Sequence, residues 1–126
     1  MIQQAVVLFG HGARDPQWAE PMRGLKQRVE ALMPTARVEL AFLELMEPSL
    51  PQAVASLVQQ GVDSLTVVPI FFGRGGHLKN DFPRIMEELK ATYPNCSIAA
   101  TTAVGQWDAV WAAMAEALVD ELTAGR

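Results

Sequence analysis

The chain of 126 residues has one cysteine, one tyrosine and two histidines. It has no apolar run near the roughly 18 residues needed to cross a bilayer. A lone Cys96 excludes an internal disulfide, and its place at the head of the apolar run 96–100 marks it as a small core residue. Cationic residues are also scarce, with ten Lys and Arg against fourteen Asp and Glu and a formal charge of -4. Nucleic-acid binding needs a basic face, so that class of partner is excluded, and an anionic ligand would need a local cluster of cations. The apolar stretch 5–9 is too short for a secretory signal and no basic segment precedes it. The sequence therefore predicts a cytoplasmic protein without membrane contact. Half of the residues are hydrophobic and 19% are charged, a balance that argues against disorder and for one domain, 1–126, with its own core.

Four apolar, β-branched runs alternate with helical patterns. This predicts an α/β fold of (βα)4 type: a three-layer unit in which helices flank a four-stranded parallel sheet. The strands are expected at 5–10, 37–44, 64–72 and 97–102, the first and third buried on both faces. A first helix is capped by Asp15 with Pro16 at its first position, or begins near Glu20 because Pro21 lacks an N–H. It carries Met22, Leu25, Val29 and Leu32 and stops before Pro34. Ser49 caps a second helix that buries Val54, Leu57 and Val58 and ends at Gly61. A third starts near Asn80 or Asp81 with Ile85, Met86, Leu89 and Tyr93 on one side. A fourth, 106–123, has an apolar stripe of Trp107, Val110, Trp111, Met114, Leu118 and Leu122, suited to a core or a dimer surface.

Each histidine follows a strand-like run, inside a glycine-bearing loop: Gly10-His11-Gly12-Ala13-Arg14-Asp15-Pro16 and Gly73-Arg74-Gly75-Gly76-His77. Open α/β sheets bind ligands beyond the carboxyl ends of their strands, so neighbouring first and third strands would turn both imidazoles to one crevice. The second strand ends in Leu43-Glu44, which adds a carboxylate at that rim. His11, Glu44 and His77 are thus the candidate catalytic and metal-ligating set. Imidazole nitrogen and carboxylate oxygen suit cobalt, nickel, iron or zinc, and open coordination positions leave the ion exchangeable. Taken singly, each residue is as well explained by a turn hydrogen bond or by solvation. Three at one rim favour a site. Arg14, Arg74, Lys79 and Arg84 lie in or just after the same loops and form a candidate carboxylate-binding patch.

Other chemistries fail on spacing. Leu78 stands where a dinucleotide loop needs its third glycine, and no Gly-Lys-Ser/Thr is present, so no nucleotide cofactor is expected. Gly10 occupies the place of the arginine that histidine phosphatases use to hold a phosphoryl group. No Gly-x-Ser-x-Gly elbow exists for a serine hydrolase. A non-catalytic metal carrier and a phosphoryl-handling enzyme of similar fold remain the alternatives to a metal-transferring enzyme.

At these loops the chain resembles the short, single-domain sirohydrochlorin cobaltochelatases, members of the class II tetrapyrrole chelatases. The matching stretches are Gly10-His11-Gly12-Ala13-Arg14-Asp15-Pro16, Phe42-Leu43-Glu44 with Pro48-Ser49-Leu50, and Val68-Pro69-Ile70-Phe71-Phe72 through Gly75-Gly76-His77 to Asp81-Phe82-Pro83. The family commonly has Ser where this chain has Ala13. The resemblance implies ATP-independent insertion of a divalent metal, Co2+ foremost with Fe2+ or Ni2+ as rivals, into the tetrapyrrole sirohydrochlorin. It implies that His11 and His77 handle the metal or protons with Glu44 as companion ligand, and that two copies form a homodimer. Insertion requires that two inner N–H protons leave, for which a neutral imidazole is a suitable base at neutral pH. The four cations would meet the peripheral acids, and Phe72 would pack against the ring.

Overall fold

The computed structural model describes residues 4–73 and 76–125, the side chains of 76–79 aside. Four parallel strands form one sheet: β1 (Gln4–Gly10), β2 (Arg37–Phe42), β3 (Ser64–Pro69) and β4 (Ser97–Ala100), in the order β2-β1-β3-β4. The helices are α1 (Glu20–Leu32), α2 (Leu50–Gln59), α3 (Gly76–Thr92) and α4 (Asp108–Thr123). β1 sits inside the sheet because its side chains are apolar on both faces. Val7 and Phe9 join the core formed with α2 and α3, where Val54, Leu57 and Met86 are buried. Leu8 joins Met22 and Val38 in the layer under α1. The expected (βα)4 order and parallel sheet are present, with α1 on one face and α2 and α3 on the other.

The start of the first helical segment combines both sequence alternatives. Asp15 accepts a hydrogen bond from the Gln17 N–H at 2.9 Å and caps a short 3-10 turn, Pro16–Ala19, before α1 begins at Glu20. Pro21 then falls in the first turn of α1, where a missing N–H is harmless. Ser49 and Gln52 form a reciprocal capping box at the start of α2. Gly61, at φ +94°, follows its end.

Four expectations need correction. β2, β3 and β4 end two or three residues earlier than expected, at Phe42, Pro69 and Ala100, where regular strand gives way to loops that keep single bonds to the neighbouring strand. α3 begins at Gly76, not near Asn80, so His77 lies in a helical first turn and Pro83 inside the helix. Leu32, the last residue of α1, is exposed and takes no part in the core. β3 is not buried on both faces: Leu65 and Val67 are, while Thr66 and Val68 on the α1 side are only half-buried.

That last difference follows from α4. Among the described residues α4 packs chiefly on the 3-10 turn before it, Val104–Gln106, and none of its own residues is buried. Trp111, Met114, Leu118 and Leu122 stand exposed. The Trp111 indole N–H donates to the Gly105 carbonyl at 2.6 Å, which anchors the helix at its start. Cys96 is buried, and desolvation followed by the nearby Asp63 carboxylate pushes its thiol above the ordinary range, as suits an inert core residue.

The capping box gives a direct test of local stability. Ser49→Ala is expected to lower unfolding free energy by about 1 kcal/mol in urea denaturation, with an unchanged slope.

Candidate functional site

The β1–β2 pairing does not stop where the strands do. Gly10 lies opposite Phe42, and two further parallel bonds follow: Leu43 N–H donates to the Gly10 carbonyl at 2.9 Å and Glu44 N–H to the His11 carbonyl at 3.1 Å. This extension of the ladder fixes the two loops side by side. It brings His11 Nε2 within 3.1 Å of Glu44 Oε1, with both side chains 55% exposed and open to a ligand.

Gly12 makes the approach possible. Its φ is +93°, and a Cβ there would overlap the Glu44 backbone carbonyl. Gly10 plays the same part toward the α1 layer, where a Cβ would come within 2.9 Å of Met22 Cε and 3.5 Å of the Trp18 ring. Trp18, on the 3-10 turn, also meets Phe42 edge-on at 6.3 Å.

On the other side of His11 lies the chain leaving β3. Ile70 N–H donates to the Phe9 carbonyl at 2.8 Å, holding this segment against β1. Phe71 packs on the core and meets His11 edge-on at 6.2 Å. Phe72 is 53% exposed and leans edge-on to Trp111 at 6.1 Å. Phe82 stacks on Phe9 at 5.7 Å as part of the core.

Of the predicted set, the structure brings His11 and Glu44 together. His77 belongs to the first turn of α3, which follows the β3 loop, and its side chain lies outside the described residues. The Lys79 side chain and all of Arg74 lie outside them as well. Arg14 is exposed in the loop after β1. Arg84 is in the third turn of α3, its guanidinium 3.4 Å from the Asp81 carboxylate. At 1.5 Å per residue, that position is about 12 Å along the helix from its start. Among the described residues no three His, Cys, Asp or Glu side chains meet as a metal-ligand group.

Sequence reasoning missed Trp18 and Leu45. Leu45 directly follows Glu44, has a positive φ of 65° and is 60% exposed. A left-handed conformation costs a non-glycine residue of order 1 kcal/mol. Nothing in the run Leu43-Glu44-Leu45-Met46 announces it, because the signal is conformational and the residue type is the wrong one.

Replacing Gly12 by Ala must part the loops or strain them. Gly12→Ala is expected to lower stability by roughly 1–3 kcal/mol, measured by urea denaturation, and to weaken any metal binding that His11 and Glu44 share, measured by cobalt titration followed by absorbance.

Residues 5–121 match the CbiX family model. Proteins named sirohydrochlorin cobaltochelatase in Methanopyrus kandleri and Methanocaldococcus jannaschii are 39% and 37% identical to this chain over 82 and 83 residues, covering 65% and 66% of it. The matched stretch spans just 57% and 58% of those two relatives. A protein of the same name from Saccharolobus solfataricus is 33% identical over 78% of both chains. Among solved structures, one described as a cobalamin biosynthesis CbiX protein from Marinobacter aquaeolei superposes with a TM-score of 0.82 at 30% identity, covering 94% of this chain and 97% of that one. The sirohydrochlorin chelatase SirB from Bacillus subtilis subspecies spizizenii, in complex with cobalt, gives 0.79 at 26% identity and is covered over 51% of its length. With its fold, its glycine-docked histidine loop and a family match along nearly its whole length, this chain belongs to the CbiX family.

Proposed function

We propose that this protein is a chelatase that inserts a divalent metal ion into sirohydrochlorin without ATP, with Co2+ as the leading substrate ion and Fe2+ or Ni2+ as rivals. The observation that carries the reading is the His11–Glu44 pair, solvent-accessible at the carboxyl edge of the sheet, in a chain whose relatives are named for this reaction.

Insertion exchanges one M2+ for two pyrrole N–H protons, so the site must accept protons and must hold the metal loosely enough to release it. His11 serves as proton acceptor or transient metal ligand. Glu44, in contact with it, orients the ring and offsets the positive charge that metal or proton brings. His77, from the start of α3, is the proposed third member. Arg14, Arg74, Lys79 and Arg84 are the proposed partners of the peripheral carboxylates, of which Arg84 starts from an ion pair with Asp81. Phe72 offers the ring an apolar edge.

We place the reaction in the cytoplasm, in a homodimer. No helix among the described residues is long and apolar enough to cross a membrane. The dimer is supported by two uncovered surfaces of one chain: the apolar stripe of α4, and the α1-side face of β3 and β4, where Val68 is half-buried and Ala99 exposed. Exchanged between two copies, each could cover the other.

Two measurements test these statements. Cobalt insertion, followed by the absorbance of sirohydrochlorin, is expected to exceed the uncatalysed rate and to fall a hundredfold or more in His11→Ala and His77→Ala. Binding of the tetrapyrrole with no rate gain over the enzyme-free control would instead make the protein a carrier. Light scattering is expected to give twice the chain mass, reduced to one chain by Leu118→Glu in the α4 stripe. A monomeric wild type at micromolar concentration would remove the dimer.

A further inference from the structure

Leu45 carries two costs at one position. Its backbone lies in the left-handed region, which glycine and asparagine adopt more readily, and its apolar side chain is mostly exposed. It sits on a loop fastened at both ends. Phe42 N–H donates to the Pro48 carbonyl at 2.9 Å, and Leu43 and Glu44 continue the ladder with β1. Residues 43–48 therefore leave the end of β2 and return to it, with Leu45 next to the carboxylate that meets His11. Among the described residues, Trp18 and Phe72 are the other large apolar side chains exposed near this edge, the former beside Gly10 and the latter beyond β3.

We infer that Leu45 is a substrate-contacting residue that packs on the face of the tetrapyrrole and seats the ring with its central nitrogens over His11 and Glu44. This rests on the chelatase reading above and adds to it a residue outside the polar set. The chemistry of the ligand fits: a tetrapyrrole macrocycle is a broad apolar disc with its acids on the periphery. A fixed apolar side chain beside the proton-accepting pair sets the position of the disc, while cations grip its edge. Covering the Leu45 side chain with that disc removes its apolar surface from water, which offsets the strain of the turn in the complex and not in the free protein.

The test exploits the conformational cost. Leu45→Asn keeps nearly the same size, suits a left-handed backbone and removes the apolar contact. Leu45→Met keeps the apolar contact. With cobalt in excess and sirohydrochlorin varied, Leu45→Asn is expected to raise KM about tenfold with kcat within twofold of wild type. Its melting temperature should be unchanged or higher. Leu45→Met should restore KM to within about twofold.

An unchanged KM in Leu45→Asn would overturn the inference. So would a loss of melting temperature that accounts for the lost activity, which would mark the side chain as structural. A switch of Leu45→Asn to monomers in light scattering, with KM intact, would overturn it too, by assigning the side chain to contact between copies. If wild-type protein neither binds sirohydrochlorin nor speeds cobalt insertion in the same assay, the chelatase reading falls and takes this inference with it. A failure confined to the variants leaves that reading standing.

Discussion

The parallel register between β1 and β2 is the constraint on which the site depends. Neither His11 nor Glu44 is buried, and an exposed pair of this kind has little power to hold itself together. Their proximity is inherited from the backbone: the ladder that pairs Gly10 with Phe42 runs on through two more N–H to carbonyl bonds. A slip of one residue would turn one of the two side chains toward the opposite face of the sheet. The hydrophobic pattern forbids that slip, because Val7 and Phe9 must stay with α2 and α3 while Leu8 stays with α1. Core packing thus sets the positions of two polar groups that take no part in it.

The sheet is covered unequally. α2 and α3 close one face over Leu65, Val67 and Ile98, whereas α1 alone serves the other and reaches mainly β1 and β2. α4 follows β4 and would be the natural second helix for that face. The Trp111–Gly105 hydrogen bond fixes its origin instead to the turn that carries Phe72 beside it. The same residues therefore tie the uncovered helix to the edge of the proposed site, and a copy that covered the helix would also stand close to that edge.

Much of the fold was legible because it is written in periodicity. The β-branched runs gave the strands, and Asp15, Ser49 and Gly61 gave the caps and stops of the helices. His11 and Glu44 could be placed together because both end strands of a parallel sheet and the doubly wound topology brings such ends to one edge. The start of α3 was hidden by Gly75, Gly76 and Pro83, which look like a loop followed by a helical first turn. The exposure of α4 was hidden for another reason: an apolar stripe states that a helix needs cover and is silent about which molecule supplies it. Leu45 had no signal at all, since a leucine among apolar neighbours is expected to be extended and buried.

The docking of Gly12 on Glu44 also bears on how this site can change over evolutionary time. Most tight contacts in a protein can be relieved by trimming the side chain on the opposite side, so two positions drift as a pair. Here the obstructing atom is a main-chain carbonyl, which every amino acid at position 44 carries. No second substitution there can make room for a larger residue at position 12. The acidic side chain can be exchanged through mutation while the glycine cannot, so the chemistry at position 44 is free to change on an unaltered backbone.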